Sequence, residues 1–220
     1  MVRRILHILI VAAFHSAAVA QAPPDPLAKN IQQLRDGDAM ERSKAAQLLG
    51  TQGASAAPAL VQSLRDRDAF VVRDAVAALC RIGQPAVPAL VQALEGADAK
   101  LRHQAAVVLS RIGPTDSTAI KALIKALKDP AADVRRRAAL ALENAGQAGE
   151  GVVAALVATL VDRDRTVRLS AAVALGNIGV DAKDAAVPLS QLLKDDDARL
   201  RAAATEAIRK ITTPKPPSGP

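Results

Sequence analysis

Asp162–Gly179 reads DRDRTVRLSAAVALGNIG, and near copies of it recur along almost the whole chain. Aligning the copies on the Asp pair and the Arg that follow a Leu makes Leu34, Leu64, Leu94, Leu127, Leu160 and Leu193 equivalent, with spacings of 30, 30, 33, 33 and 33. A fixed period of this size marks stacked supersecondary units, none of which can bury its apolar face alone. The chain is therefore expected to be an all-α, right-handed solenoid of about six helix pairs.

Each unit reads as two helices. The first follows a Pro or small-residue entry, as in Pro58–Leu64 (PALVQSL) and Pro88–Leu94 (PALVQAL). Pro suits the first helical turn because the N–H it lacks has no intrahelical partner there. A short Asp-bearing turn leads to the second helix. In the reference copy Val167, Ala171, Ala174, Leu175 and Ile178 form one stripe of a 3.6-residue helix, which Gly179 closes.

Asp recurs six residues before the repeated Arg at Asp36, Asp66, Asp129, Asp162 and Asp195, and four before it at Asp38, Asp68, Asp98, Asp164 and Asp197. The second set is placed to cap the second helix, where a carboxylate meets free N–H groups and the positive end of the helix dipole. The Arg itself recurs at Arg42, Arg102, Arg135, Arg168 and Arg201.

The pattern D-x-D-x-x-V-R-x-x-A-A-x-A-L-G-x-I-G over Asp162–Gly179 resembles the HEAT-repeat family, in particular the short HEAT-like repeats of phycobilin lyases, and the resemblance covers about residues 26–211. It implies an Asp–Arg ladder between neighbouring units. That assigns scaffold roles to Asp38, Arg42, Asp68, Asp98, Arg102, Arg135, Asp164, Arg168, Asp197 and Arg201. The units run approximately 26–53, 54–83, 84–113, 114–146, 147–179 and 180–211. The copies depart from the pattern at Val72, which stands where Arg is expected with Arg73 one residue late, and at Ala131, which replaces the second Asp. Pro188 lies one residue closer to its Leu than its counterparts.

Residues 1–20 do not fit the repeat. Arg3 and Arg4, the mostly apolar run Ile5–Phe14 and the small residues Ala18–Ala20 read as a cleavable export signal, with Gln21 as the new N-terminus. An uncleaved membrane anchor is the alternative. The expectation is a periplasmic or secreted bacterial protein with a short leader at 21–25. Residues 212–220, rich in Pro, read as an extended or disordered tail.

Of 29 Lys and Arg, 27 remain without Arg3 and Arg4, against 22 Asp and Glu, for a net charge of +5. Acids interleaved in every turn make this a poor nucleic-acid footprint, and Phe70 is the one aromatic beyond the leader. Cys80 is the single cysteine, so no intramolecular disulfide can form. It takes the small-residue slot filled by Gly50, Ser110 and Gly176, and reads as an inert thiol, with a reactive or intermolecularly paired thiol as the alternative. His103, the one histidine beyond residue 20, cannot supply a metal site alone. Asp195–Asp196–Asp197 lacks the Gly and distal Glu of a calcium loop. No nucleophile elbow, phosphate loop or dinucleotide fingerprint occurs. No cofactor, metal or enzymatic activity is expected.

Function is expected on what varies between copies. Positions one, two and nine after the repeated Arg should look away from the core and, in a HEAT solenoid, line the concave face. They include Lys44, Arg73, Arg81, His103, Arg111, Arg136, Arg137 and Lys210. Such a basic surface suits a protein partner with an acidic segment, and a merely solvated face is the ordinary explanation. An accessory lyase-like or chaperone-like subunit, holding a partner's substrate or chromophore, is the alternative function.

Overall fold

A computed structural model describes residues 25–113, 115–145 and 151–213. The export signal expected at 1–20, most of the leader and the tail from Pro214 lie outside the described residues. Six helical pairs follow one another: α1 (Pro26–Asp36) with α2 (Ala39–Leu49), α3 (Ala57–Ser63) with α4 (Ala69–Ile82), and α5 (Val87–Leu94) with α6 (Ala99–Ile112). Then come α7 (Ser117–Ala126) with α8 (Ala132–Leu142), α9 (Val152–Thr159) with α10 (Arg165–Ile178), and α11 (Ala186–Gln191) with α12 (Ala198–Thr212). No strand occurs among the described residues.

Each second helix packs on its own first helix and on the second helices before and after it. The core is a continuous row of Ala, Val and Leu. Leu49, Leu79, Leu109, Leu142 and Leu175, seven residues after the repeated Arg or Val, are all fully buried. Small residues let the helices approach. A Cβ built on Gly50 would meet Ala78 at 2.9 Å, and one on Gly176 would meet Ala207 at 2.8 Å. The Gly slot of one unit thus receives the Ala of the next.

The Leu that ends each first helix is buried at Leu34, Leu64, Leu94, Leu127 and Leu160, but Leu193 is 41% exposed. Its place is taken by Leu192. Residues Leu192–Lys194 form a 3₁₀ turn, whose tighter winding accompanies a Leu192 turned into the core, at 9% exposure, and a Leu193 turned outward.

The two Asp sets divide the work differently from the expectation. Asp38, Asp68, Asp98, Asp164 and Asp197 are helix caps, accepting backbone N–H groups at the start of their own second helices. The rungs are made by the other set. Arg42 donates through Nε and Nη2 to both oxygens of Asp66 at 2.8 and 3.0 Å. Arg102 holds Asp129 at 2.6 and 3.1 Å, and Arg135 holds Asp162 at 2.8 and 2.8 Å. Arg168 reaches Asp195 at 3.5 Å. The reason is geometric: a cap carboxylate is turned to its own helix end, whereas the Asp two residues earlier faces the preceding unit. Arg201 follows no rung among the described residues. Its Nη1 donates to the carbonyls of Asp195 and Asp196 at 2.8 and 3.0 Å.

Burial pushes the Asp66, Asp129 and Asp162 carboxyls upward, but the Arg partner and a backbone N–H two residues on outweigh it and hold all three below the ordinary carboxylate value. Hydrogen bonding to these carboxylates raises Arg42, Arg102 and Arg135 in turn. The remaining donor, Nη1, closes the turn of its own unit, as in Arg135 to the carbonyls of Asp129 and Pro130 at 2.9 and 3.1 Å.

One joint lacks its rung. Between units two and three both partners are replaced, by Val72 and by Gly96 at the two ladder positions, so neither charge is left buried and alone. Lys100 of unit three reaches back and donates to the Asp66 carbonyl at 3.1 Å, the acceptor that an Arg at 72 would have served. The Gly–Ala contact is replaced here by Cys80 and the buried Val108. These side chains are bulkier, and α4 and α6 make far fewer close backbone approaches than the second helices of any other neighbouring pair.

Candidate functional site

The outward ridge of each second helix consists of the residues two before and one, five and nine after the repeated position. These offsets recur close to the helical turn and lie on one stripe. In unit two the ridge is Phe70, Arg73, Ala77 and Arg81, all exposed. In unit three it is Lys100, His103, Val107 and Arg111, with His103 and Val107 half-buried. Unit four offers Asp133, Arg136, Leu140 and Asn144.

Several of the expected basic residues are already engaged. Arg73 donates to Asp74 at 2.8 Å and stacks over the Phe70 ring at 5.0 Å. Arg81 donates to the Gln47 carbonyl of unit one at 3.3 Å. His103 Nδ1 lies 3.3 Å from the Asp133 carbonyl, and Arg136 pairs with the Asp133 carboxylate at 3.1 Å. Lys210 donates to Asn177 at 2.9 Å, and Asn177 to Glu143 at 2.9 Å, a polar chain across the last three units. Arg111 and Lys44 meet no acceptor among the described residues.

Position two after the repeated Arg differs from the expectation. It faces the seam with the preceding unit and not the open ridge. Asp74 and Ser170 occupy it and are buried, at 6% and 8% exposure. Lys44 is exposed there because no unit precedes its own among the described residues. Arg137, in unit four, is half-buried in the seam.

Two occupants of this slot show opposite chemistry. Asp74 is pushed up by burial, but donors from Arg73, Ser43 and Gln47 more than compensate and hold it below the ordinary value. Gln47 donates at 2.8 Å, and the Ser43 hydroxyl also donates to the same carboxylate. Arg137 has no such shell. Its Nε is shielded from solvent and has no hydrogen-bond partner. Burial depresses the Arg137 guanidinium, the neighbouring Arg136 and Arg111 depress it further, and Asp133 only partly opposes them.

Cys80 lies at the joint between units two and three, where burial pushes its thiol up and Arg111 opposes this only in part. The acidic run is divided between structural duties: Asp195 takes the rung, while Asp197 caps α12 and lies 3.3 Å from Arg165 and 3.6 Å from Arg199. Among the described residues no group of three or more His, Cys, Asp or Glu is placed to hold a metal ion, and no helix is long and apolar enough to cross a membrane. Sequence reasoning missed Phe70, Asp74 and Asp133. The repeat alignment contained the signal, since they sit two before and two after the repeated position.

The sequence profile of HEAT repeats matches residues 27–110, 87–176 and 120–209. The chain belongs to the HEAT-repeat family. Among solved structures this HEAT-repeat chain is similar to an engineered protein of the Northeast Structural Genomics Consortium, at 26% identity and TM-score 0.55, covering 86% of this chain and 99% of the other. A designed armadillo repeat protein in complex with the peptide (KR)4 aligns at 21% identity and TM-score 0.57, over 85% of this chain and 100% of its own. The complex of CpcE and CpcF of phycocyanin lyase from Nostoc sp. PCC7120 aligns at 24% identity and TM-score 0.52, over 88% of this chain and 80% of its own. No curated protein sequence matches the chain.

Proposed function

We propose that this HEAT-repeat protein is an exported, non-catalytic scaffold that binds an acidic segment of another protein along the concave face lined by its second helices. The observation carrying this reading is the difference between two populations of arginine. Ladder arginines are buried against carboxylates, whereas Arg81 and Arg111 on the outward ridge, and Arg137 in the seam beside it, form no ion pair among the described residues. A solenoid of this class leaves such a ridge open to an extended ligand. The designed armadillo protein was solved with a strongly basic peptide, and the sign of the charges here calls for the opposite. Export rests on the basic, apolar and small-residue succession of residues 1–20.

The experiment is an affinity comparison of the wild-type chain with Arg73→Glu, Arg136→Glu and Arg137→Glu combined, using proteins of the exported fraction. A partner lost from the variant with helicity unchanged supports the reading; identical partners overturn it. Fusion of residues 1–20 to a reporter tests export separately.

A second reading, an accessory lyase-like or chaperone-like subunit, is favoured by the likeness to the lyase complex. It predicts visible absorbance on co-purification with a chromophore, and a chain without Trp or Tyr leaves little protein absorbance at 280 nm to obscure it.

A further inference from the structure

We propose that the seam between units three and four is an anchor for carboxylates of the partner, formed by Arg111, Arg136 and Arg137, with Val107 and Leu140 beside it receiving an apolar residue of the same segment. The inference rests on the protein-binding reading above and says where on the ridge, and by what chemistry, the segment is held.

Three observations converge. First, the charges are crowded without compensation. Arg137 has no hydrogen bond among the described residues, Arg111 meets no acceptor there, and Asp133, the one carboxylate set against them, is already paired with Arg136 at 3.1 Å. Second, the fold shows what a satisfied charge in this slot looks like. Two units earlier Asp74 occupies the equivalent position with donors from Ser43, Gln47 and Arg73 around it. The half-buried guanidinium in unit four lacks the corresponding acceptors. A shielded donor without a partner is costly, and although Nε itself is closed to solvent, an incoming carboxylate can meet the unpaired Nη donors of the same half-buried guanidinium in a charge-assisted bond. Third, the ridge between the cations is apolar: Val107 precedes Arg111 by one helical turn, and Leu140 follows Arg136 by one turn, both half-buried.

Burial of Arg137 and its like-charged neighbours act in the same direction, disfavouring the extra cation. A nucleic-acid strand fits the site poorly, because the cations form a cluster and not a track, and Phe70 lies under Arg73 in unit two. The matching ligand is an acidic protein segment with an aliphatic residue among its Glu or Asp side chains.

The test measures binding of a synthetic peptide alternating Glu with Leu, its Gln counterpart and inorganic phosphate to the full chain, to Arg111→Gln and to Arg137→Gln, with thermal unfolding of each. Arg111 is exposed and forms no hydrogen bond or ion pair among the described residues, so Arg111→Gln keeps the proposal testable if Arg137→Gln fails to fold. The expected result is binding of the Glu peptide alone, weakened about thirtyfold or more by Arg137→Gln, severalfold by the exposed Arg111→Gln, and weakened by added salt. The peptide should also raise the unfolding temperature of wild type more than that of either variant. Equal affinity for wild type and Arg111→Gln, binding of the Gln peptide, or a response to phosphate alone would overturn the anchor. The wider reading survives those outcomes if the charge-reversed triple variant still loses its partner, and falls independently if it does not.

Discussion

The joint between units four and five and the joint between units two and three are built from the same repeat and held by different means. In the former, Arg135 and Asp162 form a two-bonded pair with both side chains nearly buried, at 5% and 12% exposure, and α8 and α10 pack closely. In the latter, the charges are gone from both sides, Val108 stands where the neighbouring joints have Ala, and the helices part. The lesson is that a rung and close packing come and go together. At every joint with a rung an Ala (Ala78, Ala141, Ala174 or Ala207) is presented to the preceding unit, and at the rungless joint Val108 is. Once the helices separate, keeping one of the two charges would leave it buried alone, which costs more than losing both.

The largest effect should come from breaking one half of a rung. Arg135→Met leaves Asp162 buried without its partner and is expected to cost about 3 kcal/mol in denaturant unfolding, while Arg135→Met with Asp162→Leu should recover most of the loss. A double variant as unstable as the single would show that the rung adds net stability beyond avoiding a stranded charge.

Gly176→Val would turn the joint between units five and six toward the geometry of the rungless one. With Ala207 already 2.8 Å from where a Cβ would sit, overpacking should cost about 1–3 kcal/mol. Amide exchange in α10 and α12 should rise. Val108→Ala at the rungless joint should instead leave a cavity, so the same Ala that suits one joint weakens the other.

Acid should act selectively on joints that have rungs. The folded-state carboxyls of Asp66, Asp129 and Asp162 are depressed, so their contribution is complete above the unfolded value of about 3.9. It is lost as pH falls through the lower folded values. The unfolding temperature should fall below about pH 4, and less steeply in Asp129→Asn than in wild type, although the variant starts lower at neutral pH.

The smallest effect is expected from Lys100→Met. Its exposed ammonium ties unit three to the Asp66 carbonyl at 3.1 Å, and its removal should cost about 0.5 kcal/mol. The change should appear as faster amide exchange around residues 65–68 before any shift in global unfolding.

Period and composition made the fold readable. Six copies of a Leu followed by one or both of two Asp and, in five of the six, by the repeated Arg, with Ala at helical spacing in the second helix, leave few arrangements other than stacked pairs. The caps were equally legible, because an Asp directly before an apolar helical stripe has one local use. The site was legible in part. Arg73, Arg81, Arg111 and Arg136 fall on the outward ridge, but the position of Lys44 and Arg137 belongs to the seam, and nothing in the spacing of two residues separates seam from ridge. That division depends on how one helix is rotated against the helix before it.

Sequence by itself thus determined the units, their helices, their caps and the composition of the ridge, all of which depend on interactions within about one repeat. Tertiary structure alone decided which Asp completes a rung, that Leu192 and not Leu193 enters the core, that Val72, Gly96, Cys80 and Val108 together open one joint, and that Arg137 is left half-buried without an acceptor. These features arise between residues 24 to 31 positions apart, as Arg42–Asp66 and Ser43–Asp74 illustrate at the two limits. A side chain's partner at that range is set by helix separation and rotation, and both follow from the summed volumes of the residues packed between neighbouring units.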